Sequence, residues 1–90
     1  MKITAATSPN LWKAFQFIAY DNGAGTLPES VDLPVSALDL EITEAALGEL
    51  SEEEAEDFAN GDEVAQERIA TSTPSFRVAN RVLAAYFDSL

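Results

Sequence analysis

An uncompensated block of negative charge constrains this chain more than any other feature of its sequence. Fifteen of the sixteen acidic residues lie between Asp21 and Glu67, and that stretch contains no Lys or Arg. The five basic residues all flank it: Lys2, Lys13, Arg68, Arg77 and Arg81. Like charges on a small folded domain repel one another and oppose compaction. Such a block is therefore typical of a functional surface that binds a partner.

The rest of the composition is that of an ordinary folded protein of modest size. The 90 residues suit one domain, 1–90, and 47% of them are apolar, so the acidity does not indicate disorder. Cys and His are both absent, which excludes disulfides, thiolate metal sites and the commonest catalytic bases. No apolar run has the length of a membrane span or a signal peptide. We expect a soluble, cytoplasmic protein (in the host cytoplasm if a phage encodes it) that needs no cofactor.

The first helix is predicted by its two ends and by one apolar stripe. Ser8-Pro9 is typical of a helix start, because proline is tolerated at the first helical position. Asn22-Gly23 is typical of a left-handed stop. Between them, five apolar residues recur at helical spacing: Leu11, Trp12, Phe15, Ile18 and Ala19. The pattern predicts a helix over Pro9–Asp21.

The segment from Gly23 to Leu50 has a weaker pattern. Gly23 to Pro34 contains two Gly and two Pro and predicts an ordered loop. Pro34 to Leu40 fits a short strand, because its apolar residues mostly alternate, and it also fits the start of a helix. Thr43 with Glu44 predicts a helix that begins there and runs to Leu50.

A capping box marks the next helix. Ser51 and Glu54 are three residues apart, so each side chain can bond to the backbone N–H of the other residue. This spacing predicts a helix over Glu52–Ala59. Asp62 is a candidate cap for a further helix from Glu63 to about Thr71.

The last helix carries the strongest periodic signal. Thr73-Pro74 repeats the cap-and-proline start, and the following residues form one apolar face: Phe76, Ala79, Leu83, Tyr86 and Phe87. We expect the first and last helices, which hold most of the aromatic residues, to pack together as the core. The predicted fold class is mainly α, a compact single-domain bundle of four to five short helices, with a short strand or loose arm at Met1 to Thr7.

The acidic residues become most crowded after Gly48. Residues 49–67 contain nine acids, which corresponds to one carboxylate per ~3 Å of continuous helix, near the ~3.4 Å per phosphate of one DNA strand. Five of them fall at helical spacing and would form one stripe if Gly48 to Ser51 stays near helical. The candidate partner-binding residues are Glu49, Glu52, Glu53, Glu56, Asp57, Asp62, Glu63 and Glu67.

This density favours a non-enzymatic inhibitor or decoy that imitates nucleic acid. Such a protein, of the anti-CRISPR or anti-restriction type, would bind a basic nucleic-acid-binding surface of a partner protein, and would itself bind neither nucleic acid nor membrane. The alternative is a small structural or adaptor protein, such as a phage assembly component or an antitoxin, that binds through apolar surface. An acidic run that is only a solvated face, or a general adaptation to high salt, is the plainer interpretation.

Other functional patterns are weak. No pair of carboxylates is singled out as catalytic, and the phosphate-binding glycine pattern with its lysine is absent. Asp21 to Asp32 has the length of a calcium loop but lacks its central glycine and its final glutamate, so a connecting loop is the better prediction. Trp12 and Tyr20 are expected to lie in the core or at its edge, and Trp12 is a candidate interface anchor only if it is exposed. Arg77 and Arg81, one turn apart, are expected to balance acids of a neighbouring helix.

Overall fold

A computed structural model describes residues 1–23, 25–60 and 74–90 of the chain. These residues form four helices and one short antiparallel pair of strands: β1 Lys2–Ile3, α1 Pro9–Asp21, β2 Val31–Asp32, α2 Ala37–Gly48, α3 Glu52–Ala59 and α4 Pro74–Ser89. The predicted fold class, a small mainly α domain with a short N-terminal strand, is confirmed. The predicted helix from Glu63 to about Thr71 lies outside the described residues.

The two strands join the start of the chain to the end of the predicted loop. Lys2 pairs with Asp32 and Ile3 pairs with Val31 in antiparallel register. The Met1 amino group donates to the Asp32 carboxylate at 2.9 Å and to the backbone carbonyl of Leu33 at 2.6 Å. Residues 25–34 are therefore a loop that contains the short strand β2.

The predicted bounds of α1 are confirmed, but its N-terminus is capped differently from the prediction. Ser8 occupies the N-cap position, and its side chain makes no capping hydrogen bond. The Glu44 carboxylate accepts bonds from the backbone N–H groups of Asn10 and Leu11, both at 2.9 Å. At the other end, Gly23 has a φ of 72°, the left-handed conformation that the Asn22-Gly23 pair predicts.

The prediction that a helix begins at Thr43 is wrong, because α2 begins six residues earlier. Ser36 has an extended backbone and its hydroxyl accepts a bond from the Asp39 N–H at 3.1 Å, so it caps a helix that starts at Ala37. Residues 37–40 are helical and not a strand, and α2 ends at Gly48, short of Leu50. Thr43 consequently lies in mid-helix and is fully buried.

The predicted bounds of α3 are confirmed together with its capping box. The Glu54 N–H donates to the Ser51 hydroxyl and the Ser51 N–H donates to the Glu54 carboxylate, both at 3.2 Å. The start of α4 at Pro74 is confirmed as well.

The core lies where α1, α2 and α4 meet. The Phe15 and Tyr86 rings stack with centroids 4.1 Å apart, so the first and last helices do touch as expected. However, α4 makes most of its contacts with α2. The helix whose start was predicted too late is thus central to the packing. Phe58 brings α3 into the same core through an edge contact with Phe76, with centroids 6.2 Å apart.

Candidate partner-binding surface

One side of α3 consists of exposed carboxylates. We call this set the α3 acidic face; its members are Glu52, Glu53, Glu56 and Asp57. Phe58 is fully buried on the opposite side of the helix, and it fixes which way the carboxylates point. The capping box holds the N-terminus of α3, so the face is carried by a defined helix.

The helix tolerates the acids at its start better than those at its end. Glu52 and Glu53 lie in the first turn, where the positive end of the helix dipole favours negative charge. Glu56 and Asp57 lie in the last turn, where that dipole opposes them. Each is also four residues from another acid, a spacing that costs about 0.2–0.5 kcal/mol per pair. The C-terminal half of the face is therefore the more strained half electrostatically.

Basic side chains do not neutralise this face within the described part of the chain. Across residues 1–23, 25–60 and 74–90, the one ion pair joins the Met1 amino group to Asp32. Arg77 and Arg81 are exposed on α4, and neither forms the expected ion pair with a described carboxylate. The four carboxylates of the α3 acidic face are therefore exposed to solvent and form no ion pair with a described basic side chain.

The predicted single stripe is divided by a break in the backbone. Glu49 follows the last residue of α2, and Ser51 is extended with a ψ of 162°, so the condition that Gly48 to Ser51 stays helical is not met. The break arises because an N-cap residue must leave the helical conformation to accept its capping bond. Glu49 is exposed but belongs to the end of α2, and Glu49 and Glu53 are not a pair on one helix. The candidates Asp62, Glu63 and Glu67 lie outside the described residues.

A second surface, on α2, was not predicted. An open groove of about 720 Å³ runs between α2 and the start of the chain, and its lining includes Leu40, Glu41, Ala45 and Glu49. The signal that could have revealed it is Ser36 followed by Asp39, a cap pattern that places Glu41 and Ala45 on a helix. Glu49 connects this groove to the sequence that enters α3.

A smaller concave region lies where α1, α3 and α4 meet. Its volume is about 350 Å³, and Ile18, Phe58 and Phe87 are among the residues that line it. Phe87 is 54% exposed, which makes it a candidate apolar contact. Trp12, in contrast, is only 9% exposed, so it lies in the core as expected and does not meet the condition for an interface anchor. Tyr20, which was also expected in the core or at its edge, is instead 79% exposed.

Metal and membrane sites find no support in the described part of the chain. Residues 1–23, 25–60 and 74–90 contain no cluster of acidic residues with the geometry to hold a metal ion. The calcium-loop pattern fails in detail, since Asp21 ends α1 and Asp32 is paired with the Met1 amino group. Among the same residues, none of the helices combines the length and apolar character that crossing a membrane requires.

Comparison with known proteins found no family model, no characterised protein and no solved structure that matches this chain.

Proposed function

We propose that this protein is a non-enzymatic inhibitor or decoy whose acidic surface occupies a nucleic-acid-binding site on a basic partner protein. The observation that carries the proposal is the α3 acidic face: four exposed carboxylates on a capped helix with no ion pair to a described basic side chain. Targets of the CRISPR-effector or restriction-enzyme type have the required basic grooves. We assign the protein no catalytic role.

Charge spacing supports the imitation of a phosphate backbone. α3 has eight residues, so it is ~12 Å long, and its four exposed carboxylates amount on average to one per ~3 Å of helix axis. One DNA strand carries a phosphate every ~3.4 Å along its axis. A groove that binds phosphates with Lys and Arg would find a similar density of negative charge on α3.

Electrostatic repulsion within the free protein supports the same conclusion. The formal net charge is −11, and the last turn of α3 holds two acids that the helix dipole disfavours. Lys or Arg side chains of a partner would relieve that repulsion and displace the partner's own counterions. Binding is therefore expected to be fast and to weaken as salt concentration rises.

The proposal is tested by reversing two charges without damaging the helix. Glu56→Lys with Asp57→Lys places each Lys four residues after a Glu, the favourable order, and near the favourable end of the helix dipole. The matched control, Glu29→Lys with Asp88→Lys, makes the same change in net charge at exposed positions outside α3.

Binding would be measured by calorimetry against a panel of purified CRISPR effectors and restriction enzymes at two salt concentrations. We expect the α3 variant to lose about tenfold or more in affinity, as two reversed contacts of ~0.7 kcal/mol each imply, and the control to stay within about twofold. Equal losses in both variants would mean that only net charge matters. An unchanged affinity in the α3 variant would remove α3 from the interface.

A second candidate function, a structural or adaptor protein, is favoured by one observation. Phe87 and Tyr20 are 54% and 79% exposed, and Phe87 borders the 350 Å³ concavity. Apolar and aromatic side chains of this kind anchor many protein interfaces. If this function is the true one, Phe87→Ser and Tyr20→Ser abolish partner capture, while Glu56→Lys with Asp57→Lys leaves it intact and insensitive to salt.

A further inference from the structure

The exposed face of α2 is unusual because most of its residues, apart from Glu41, are small or apolar. Leu38 and Ala45 are seven residues apart, so they lie two turns apart on the same face of the helix. Leu38 is 64% exposed, and Ala45 and Gly48 are exposed as well. A helix in a small domain normally turns charged or polar residues to solvent. α2 thus has apolar residues on both its buried side and its open side.

The groove beside this face is large enough to hold a short segment of chain. It has a volume of about 720 Å³, with Leu40 and Ala45 among its apolar lining residues. Gly48 admits the close approach of α1 at one end, since a Cβ at that position would lie 2.9 Å from Asn10 Nδ2. The volume exceeds what one Leu or Phe side chain fills, so a short segment of chain is a better fit than a single residue.

The rim of the groove determines the charge of the occupant. Glu41 and Glu49 lie on the rim, about 12 Å apart along the helix axis, and neither has an ion-pair partner among the described residues. Glu44 also lines the groove, but its carboxylate is committed to the N-terminus of α1. The cationic groups of the lining are Lys2 and the Met1 amino group, which is paired with Asp32, so the three acids leave the lining net acidic.

A second copy of this chain is a poor occupant for a groove whose lining is net acidic. Each copy would bring its own Glu41 and Glu49 to the interface, on a body with a formal net charge of −11. Such like-charge contact disfavours association. Charge complementarity instead selects an occupant that is apolar at its centre and basic at its ends.

We propose that the α2 groove binds an apolar segment of the basic partner, flanked by Lys or Arg residues that pair with Glu41 and Glu49. The inference rests on the proposed function in taking the partner to be basic. It adds a second contact, which is apolar and gives the complex a fixed orientation. Glu49 lines the groove and lies three residues before Glu52, the first residue of the α3 acidic face.

The probe for this site is a synthetic helical peptide of about 15 residues, with central Leu residues and Lys residues about eight positions apart to match the rim. Two control peptides replace the Leu residues by Ser or the Lys residues by Glu. Affinity is measured by calorimetry near physiological salt, and the contact site is located by NMR shifts of the Ala45 and Gly48 amides. The expected result is binding of the first peptide alone, with shifts at those amides.

Two variants of the protein locate the effect. Ala45→Trp fills the groove from an exposed position, and Gln16→Trp is the matched control on the exposed side of α1. We expect Ala45→Trp to weaken peptide binding at least tenfold and Gln16→Trp to leave it within about twofold. If Ala45→Trp does not fold, Glu41→Lys with Glu49→Lys takes its place and is expected to cause the same loss.

The outcomes separate this inference from the proposed function when the same variants are tried against a protein partner. Loss of binding with Glu56→Lys and Asp57→Lys but not with Ala45→Trp overturns the groove and keeps the decoy. Loss with Ala45→Trp alone keeps the groove and overturns the decoy. Absence of peptide binding, or peptide binding without shifts at Ala45 and Gly48, overturns the groove outright.

Discussion

The carboxylate of Glu44 caps the helix that contains Leu11, with its Oε1 atom 2.9 Å from the Leu11 backbone nitrogen. Its other oxygen accepts from the Asn10 N–H at the same distance. The first N–H groups of a helix have no partners inside the helix, and an anion there also gains from the helix dipole. Glu44 thus joins α2 to the start of α1. Although it contributes to the formal net charge of −11, it is not part of the free acidic surface.

Removal of this cap should destabilise the protein more than removal of the nominal N-cap residue. We expect Glu44→Ala to lower the free energy of unfolding by about 1–2 kcal/mol, because two backbone N–H groups lose their acceptors. Ser8→Ala should cost less than about 0.5 kcal/mol, since the Ser8 side chain makes no capping bond. Urea denaturation measures both, with Glu41→Ala as the control for loss of one negative charge. A larger loss in Ser8→Ala than in Glu44→Ala would contradict the capping assignment.

Thr43 offers a route to higher stability. Its hydroxyl is buried in α2 and has no hydrogen-bond partner among the described residues. A buried unpaired polar group costs about 1–3 kcal/mol, so Thr43→Val should raise the free energy of unfolding by about 1 kcal/mol. Thr43→Ser keeps the hydroxyl and removes a packed methyl, and should lower stability by about 0.5–1.5 kcal/mol. Thermal denaturation of Thr43→Val and Thr43→Ser measures both effects. A Thr43→Val variant less stable than wild type would show that the Thr43 hydroxyl does have a hydrogen-bond partner.

The cost of the α3 acidic face can be measured with two variants of identical net charge. Glu56→Lys with Asp57→Lys creates two favourable Glu-to-Lys pairs and puts cations at the helix C-terminus. Glu52→Lys with Glu53→Lys puts cations in the first turn, where the dipole opposes them. We expect the first variant to be more stable than the second by ~1 kcal/mol at low salt. The difference should shrink with added salt, and equal melting temperatures at low salt would show that these charges do not interact along α3.

Tyr86 predicts a loss of stability at alkaline pH. Burial raises the pKa of its phenol above the ordinary value of 10.0, so the folded protein holds this proton more tightly than the unfolded chain does. The resulting contribution is fully present below the unfolded pKa and is lost as pH rises through the folded pKa.

The test compares Tyr86→Phe with Tyr20→Phe, which changes a tyrosine that is 79% exposed. Urea denaturation between pH of about 8 and 11 should show a smaller alkaline loss in Tyr86→Phe than in wild type. The Tyr20→Phe variant should follow wild type. If Tyr86→Phe lost as much unfolding free energy at alkaline pH as wild type does, the loss would have to come from the titration of other groups.

Local sequence signals predict those helices whose ends are marked by a proline, an Asn-Gly stop or a capping box. Proline and the Asn22-Gly23 stop defined α1, and the reciprocal bonds of Ser51 and Glu54 defined α3. The same capping box also implied the break before α3, because its Ser51 must adopt an extended backbone. The expectation of one continuous stripe through Glu49 was therefore in conflict with a prediction made from the same residues.

Long-range contacts could not be read from the sequence in the same way. Glu44 and Leu11 are 33 residues apart, and no local pattern indicates that one caps the other. The start of α2 was missed because alternating apolar residues from Val35 onward resemble a strand, although tertiary packing on both α1 and α4 makes them a helix. The pairing of β1 with β2 is too short to produce any periodicity.

Direct competition with nucleic acid is the closest test of the claim that this protein occupies a nucleic-acid-binding site on its partner. A partner from the binding panel would be saturated with a fluorescent DNA duplex, and the anisotropy of the duplex followed as this protein is added. The account predicts that the duplex is released completely, that more protein is needed at higher salt, and that Glu56→Lys with Asp57→Lys needs about tenfold more. A duplex that stays bound while saturating protein also binds the partner would contradict the account, because the two would then occupy different surfaces.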